Sequence, residues 1–521
     1  MKIKFPALFS VLLALNSCET AGDHSSTTSA APVSASADRS KPAAARSAGV
    51  PDRPEKLSFP ALNYEPPNPR EYRVELKSGP VAYIVPDHEL PLVNLTIFVR
   101  TGQYVVPSGK EGLSDLAGHL LARGGTKSKT AEELEERLAF LAAHLNSSVG
   151  ETQGSISLNL LSKDLAEGLD ILREVLTAPR FQEDKIALLK DQTLQNMKQR
   201  NDDSRNIEER EHDFLAHGEN FWANRHTTAA SLEGLTRDDL QQFHRKWFHP
   251  ANFVVAANGD FDHAEMAARL EKLFSDWPFK GEKPPAIPSD THLAKPGVYI
   301  VDKEVNQGRV AIMLPGIMRE DPDYFPVVIM NDILGGGGFT SHIMNRVRSD
   351  EGLAYSAGSS FPGGVYYPSV FNAAFQSKSR TVPYAVSIVL DEIKTFPEQL
   401  VTDEELNTSK RGFIDRFPRA FGTKAQIAGT FAGDEFSGRF PKNFDYYKNY
   451  RARMDAVKKE DLQRVAKKYL TPQQQVILIV GQKEEILKGH PAHPVSLESL
   501  AGGKIIDVPL RDPLTMKPMS R

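Results

Sequence analysis

Hydrophobic and polar positions alternate along EYRVELKSG (71–79), PVAYIVPD (80–87) and VNLTIFVRTG (93–102), and again in GSISLNLL (154–161). That period predicts strands with one buried face. Between these runs the spacing changes to a helical one, in GLSDLAGHLLARGGT (112–126) and TAEELEERLAFLAAHL (130–145). Two unbroken apolar runs, FVVAANG (253–259) and VILIVG (476–481), each follow a short amphipathic helix and a proline and end on glycine. Strands come in groups and helices in groups, which predicts an α+β fold rather than the regular alternation of a doubly wound sheet.

The two apolar runs belong to a repeat. The segment Leu235 to Phe261 aligns with Val457 to Lys483 at a constant offset of 222 residues, pairing Leu240 with Leu462, Trp247 with Tyr469, Pro250 with Pro472 and Gly259 with Gly481. QEDKIALLK (182–190) and TDEELNTSK (402–410) align at an offset of 220, both opening a helix with acidic residues, as the helix dipole favours. Units of this length are too long for a solenoid. The expectation is a tandem duplication: two homologous domains at 58–280 and 296–490, each a mainly antiparallel sheet with helices packed on it. A Pro-rich linker at 281–295 joins them, and a tail follows at 491–521. The length of 521 residues, with 40% hydrophobic and 25% charged, suits two large folded units. The 63 Lys and Arg against 67 Asp and Glu leave a charge of −4, a balance that does not suggest a nucleic-acid binder.

The N-terminus follows another logic. Lys2 and Lys4 precede the apolar run Phe5 to Leu15, about 16 Å long as a helix and too short to span a bilayer core of about 30 Å. The run reads as the apolar core of a secretory signal, expected over 1–17. Leu15-Asn16-Ser17-Cys18 resembles a bacterial lipoprotein signal, which makes Cys18, the one cysteine of the chain, the lipidated residue. The Ser-, Ala- and Pro-rich stretch that follows cannot bury a core, so 18–57 is expected to be a disordered tether. The localisation implied is the cell envelope, on the periplasmic side, with Glu19 favouring the outer membrane.

GLSDLAGHLLARGGT, taken with the duplication, resembles the inverzincin zinc peptidases, the family of insulinase, pitrilysin and the mitochondrial processing peptidase. Their zinc helix reads G-x-x-H-x-x-E-H. Laid on that pattern, Gly112 fits, Asp115 stands at the first histidine, Gly118 at the glutamate and His119 at the second histidine. The third ligand of the family falls near Gln195, on a stretch without a carboxylate. A catalytic zinc needs three protein ligands and a base for its water. The 14 histidines contain no pair four residues apart, so no other such helix exists.

The second repeat carries NDILGGGGFTSHIMNRVRSDEGLAYSAGSSF (331–361). It resembles the family's glycine-rich segment, with Arg348 and, seven residues on, Tyr355. The four glycines are not a phosphate loop, since no Gly-Lys-Ser/Thr follows. The resemblance implies a clamshell of two domains, in which that arginine and tyrosine bind the substrate carbonyl and the oxyanion. It also implies a function: a non-zinc subunit of a heterodimeric peptidase, inactive alone. Arg348 and Tyr355 would serve a partner subunit whose own H-x-x-E-H helix carries the zinc, on an extended peptide substrate. This chain itself would bind no cofactor, and its membrane contact would be the lipid. The alternative is a catalytically inactive peptide-binding or scaffold lipoprotein of the envelope.

Overall fold

The computed structural model describes residues 57, 63–500 and 504–520, and the residues from Asn63 on belong to one compact unit. The signal segment 1–17, Cys18 and the tether up to residue 56 lie outside the described residues.

The first sheet is built from β1 (Arg73–Glu75), β2 (Val81–Pro86), β3 (Leu92–Val99), β4 (His144–Val149), β5 (Gly154–Leu161) and β6 (Phe253–Gly259), in the order β1-β2-β6-β3-β5-β4. The second half repeats the plan. Its strands are β7 (Gly297–Asp302), β8 (Gln307–Pro315), β10 (Ala354–Ser360), β12 (Val370–Lys378), β13 (Val476–Gly481) and β14 (Ile505–Asp507), in the order β10-β12-β8-β13-β7-β14. Two short strands, β9 (Ile317–Met318) and β11 (Gly363–Gly364), pair apart from it. In both sheets the unbroken apolar run sits in the middle. β6 lies parallel to β2 and antiparallel to β3, and β13 lies parallel to β7 and antiparallel to β8. Every residue of β6 and β13 is buried, as a strand covered on both faces requires.

The covering is exchanged between the halves. On one face of the first sheet Ile84, Val255 and Ala257 join the core of their own half. On the other face Tyr83, Val85, Val254 and Ala256 pack against Phe421, Ile427, Phe431 and Phe436, from the helix Lys424–Phe436 and the turn before it. The converse holds in the second sheet, where Val301, Met313, Leu478 and Val480 pack against Ile207 and Ala216 of the helix Ser204–His217. Each exchanged helix is sealed by an ion pair to the opposite sheet. Glu435 accepts two bonds of 3.0 Å from Arg73 and one of 2.9 Å from the Tyr83 hydroxyl, and Glu208 pairs with Arg309 on β8.

Two expectations change. The helix foreseen over 130–145 stops at Phe140, because Ala142 adopts φ 48° and the chain turns into β4, the edge strand of the first sheet. The segment read as a tail does not trail away. β14 pairs with β7 where β1 pairs with β2 in the first half, and the chain then runs back over that half. There Arg511 donates to the buried Glu211 at 3.3 Å and to Glu219 at 2.7 Å, while the Ala229 amide donates to the Leu514 carbonyl.

Candidate functional site

Asp115, Gly118 and His119 lie on the helix Leu113–Arg123, which leaves Gly112 in the left-handed region at φ 96° and packs against β4. The approach is set by Gly118. A Cβ there would stand 2.3 Å from the Val149 nitrogen and 2.7 Å from the Ser148 carbonyl carbon, both backbone atoms of β4. The Ser147 hydroxyl locks the contact, donating to the Gly118 carbonyl at 2.5 Å and accepting from the Ala122 amide at 3.0 Å. The place of the family's general base is therefore filled by strand backbone.

Asp115 reaches solvent on a helix turn hemmed in by protein, and this burial pushes its carboxyl up to about 6. His119 is half-buried, and burial followed by the nearby Arg123 holds its ring below the usual histidine range. Gln195 sits exposed on the helix Glu183–Lys198, accepting from Lys198 at 3.4 Å. The zinc implied by the resemblance does not fit here: the Gly118 position cannot accept a side chain, and the helix supplies one ring nitrogen. Among the described residues no group of three or more His, Cys, Asp or Glu side chains is placed to hold a metal ion.

Folding brings other groups near this helix that no motif marked. Glu151, in the turn between β4 and β5, has its carboxyl raised by burial and then by Asp213 and Asp115. Burial, Glu151 and Asp213 push the Tyr367 hydroxyl up to about 12. The Tyr367 ring lies 5.0 Å from Phe221, 5.3 Å from His217 and 6.2 Å from Trp222. Glu151 and Asp213 thus stand near an aromatic cluster contributed partly by the second half, and Asp115 stands near Glu151. They come from three separate elements and share no spacing, so only their placement reveals them.

In the second half the glycine-rich segment is a π-helical turn, Asp332–Gly336, followed by a second, Asn345–Asp350, that carries Arg348. Gly335 meets β10 as Gly118 meets β4: its Cβ would stand 2.4 Å from the Ser359 hydroxyl and 2.6 Å from the Ser359 nitrogen. Arg348 and Tyr355 are brought together. The guanidinium lies 4.9 Å from the Tyr355 ring centre and 4.5 Å from that of Phe339, a residue the motif did not single out. Both rings face water, Tyr355 86% and Phe339 66% exposed, so the cation is held ready between two aromatic faces. No hydrogen bond, ion pair or ring contact joins this group to Asp115 or His119 among the described residues. What it offers chemically is a set of donors, guanidinium and phenol, on an open surface.

Residues 83–219 match the family described as "Insulinase (Peptidase family M16)", and residues 234–413 match "Peptidase M16 inactive domain". The chain is 25% identical over 319 residues to an uncharacterized zinc protease of Streptomyces coelicolor, covering 60% of this chain and 68% of that protein. It is 26% identical over 345 residues to the non-peptidase homolog YmxG of Helicobacter pylori, covering 64% and 76%. The fold is that of a peptidase M16 inactive domain from Pseudomonas fluorescens, at a TM-score of 0.69 and 23% identity, covering 78% of this chain and 97% of that one. The periplasmic protease PqqL of Escherichia coli shares it at a TM-score of 0.66 and 13% identity, over 78% of this chain and 45% of PqqL.

Proposed function

The chain belongs to the insulinase family, peptidase family M16, as an inactive-type member, and we propose that it is the non-zinc subunit of a heterodimeric zinc peptidase. One observation supports the reading: the helix that bears the zinc ligands in active relatives is closed at Gly118 by the backbone of β4, while Tyr355 stands exposed with the half-buried Arg348 against its ring. In this reading Arg348 and Tyr355 reach a peptide held against the zinc of a second subunit. There they donate to its carbonyl oxygen as negative charge develops. Lipid at Cys18 holds the subunit at the periplasmic side of the envelope, the outer membrane rather than the inner. No helix among the described residues is long and apolar enough to cross a membrane.

The test mixes the mature chain with a subunit of the same family that carries an intact H-x-x-E-H helix. Peptide cleavage should require both chains, and metal analysis should find zinc in the partner alone. Arg348→Ala or Tyr355→Phe should lower kcat about 100-fold, the usual effect of removing one oxyanion donor. Chelator-insensitive cleavage by this chain alone overturns the assignment. A specific feature favours the alternative, a peptide-binding or scaffold lipoprotein without chemistry: Asp115, Glu151, Asp213 and Tyr367 all come from this one chain and act on one another electrostatically. Peptide binding by the isolated chain, indifferent to Arg348→Ala but lost with Glu151→Gln, decides for that reading.

A further inference from the structure

The segment that presents Arg348 is anchored by a histidine that does not belong to the arginine–tyrosine pair. His342 begins the short helix His342–Met344, between the two π-helical turns. Its Nε2 lies 2.6 Å from Glu405 Oε1 and its Nδ1 lies 3.5 Å from Glu392 Oε2. Glu405 stands in the first turn of the helix Asp403–Arg416, where it also accepts from the Thr402 amide and hydroxyl at 2.8 Å. Glu392 is a buried residue of the helix Val382–Thr395 and accepts from Arg346 at 2.9 Å. The Phe396 ring packs on the imidazole at 5.5 Å. β10, which also packs against this segment, reads AYSAGSS and carries no charge, and Asp332 accepts from Ser409 at 2.6 Å.

A neutral imidazole has one N–H and one lone pair, so it can satisfy only one of these two carboxylates and must turn its lone pair toward the other. The imidazolium donates to Glu405 and forms an ion pair with Glu392 at the same time. We infer that His342 is a proton-dependent clasp, a positioning residue that in its charged form ties the segment carrying Phe339 and Arg348 to the two helices behind it. Hydrogen bonding to Glu392 and then to Glu405 raises the ring's pKa, so the clasp is closed in acid and opens as pH rises through that raised value.

The inference rests on the proposed function only for why this segment matters, and its test needs neither partner nor peptide. Hydrogen exchange of amides 339–348 is measured on the mature chain at pH 6 and pH 9 and corrected for intrinsic rates. The wild type should lose about tenfold in protection at the higher pH, the scale of a charge-assisted bond. His342→Gln should be low at both pH values, and His342→Arg, which can donate to both carboxylates at any pH, should stay high at both. Selectively labelled histidine should show the His342 ring titrating above its ordinary value of about 6.5. Flat wild-type protection, a His342→Gln chain as protected as wild type at pH 6, or a ring titrating at or below the ordinary value overturns the clasp. Should His342→Arg not fold, the wild type, His342→Gln and the ring titration still decide. A clasp that behaves as stated beside a chain that never supports cleavage would remove the proposed function and leave the clasp.

Discussion

In the first half, the helix Leu113–Arg123 runs unbroken and meets β4 through Gly118. In the second, the corresponding stretch is split into π-helical turns and meets β10 through Gly335. Asp115 and Asp332 stand three residues before the two glycines, and burial raises both carboxyls. Both junctions press a helical backbone onto an edge strand at a distance only glycine allows. They differ in what is left facing outward. The first leaves Asp115 and the half-buried His119 beside Glu151, with no side chain at the position of the family's base. The second, its helix loosened by extra residues per turn, swings two aromatic rings into solvent with the half-buried Arg348 guanidinium against them. One duplicated device thus serves as a wall in one half and as a presenting arm in the other.

The halves also differ in how each covers the other's sheet. The second half lends phenylalanines, of which Phe431 is fully buried, whereas the first lends a polar helix whose buried apolar residues are Ile207 and Ala216. Phe431→Ala should destabilise the chain by about 3–5 kcal/mol, and Ile207→Ala by less, about 2–3 kcal/mol. Urea midpoints at a constant slope would measure both. Equal losses would mean that the two exchanged helices contribute alike and that the asymmetry is only compositional.

Gly118→Glu, which restores the residue of the family's base, should cost about 3 kcal/mol, since overpacking against strand backbone cannot be relieved by a side-chain rotation. The same midpoint reads it. A variant as stable as wild type would mean that β4 yields, and the wall would then be a door.

Much of this was legible in the chain, and the failures have physical reasons. FVVAANG and VILIVG announced the two central strands because burial on both faces removes alternation, and the repeat offset paired them. Arg348 and Tyr355 are singled out by the resemblance of the whole glycine-rich segment rather than by spacing alone, and the guanidinium lies 4.9 Å from the Tyr355 ring centre. The exchange of helices was not legible. SRNIEEREHDFLAH reads as a solvated helix, yet Glu208 and Glu211 are buried because Arg309 and Arg511, distant in sequence, neutralise them, and the buried Arg210 pairs with its neighbour Glu211 at 3.0 Å. β4 was hidden in a helical pattern because its turn depends on the backbone of one alanine. Glu151, Asp213 and Tyr367 were invisible because three elements meet only in the fold.

The smallest effect probes the first junction most directly. The Asp115 carboxyl sits at about 6 in the folded chain, against about 3.9 when unfolded. Between those values the folded protein keeps a proton that the unfolded chain has released, so stability falls as pH rises from about 4 to 6, and the loss is complete above 6. Asp115 also touches solvent and lies in the first turn of its helix, where the dipole favours negative charge, so the loss shrinks to about 1 kcal/mol or less. Asp115→Asn removes the titration while keeping the shape. The variant should match wild type at pH 4 and exceed it at pH 7.5 by that small margin, seen in paired urea midpoints. A variant weaker than wild type at pH 7.5 would show a carboxylate stabilised by a positive partner. The junction would then be a salt-bridged wall like the one beneath the exchanged helices, and the contrast between the halves would narrow to the arm that carries Arg348.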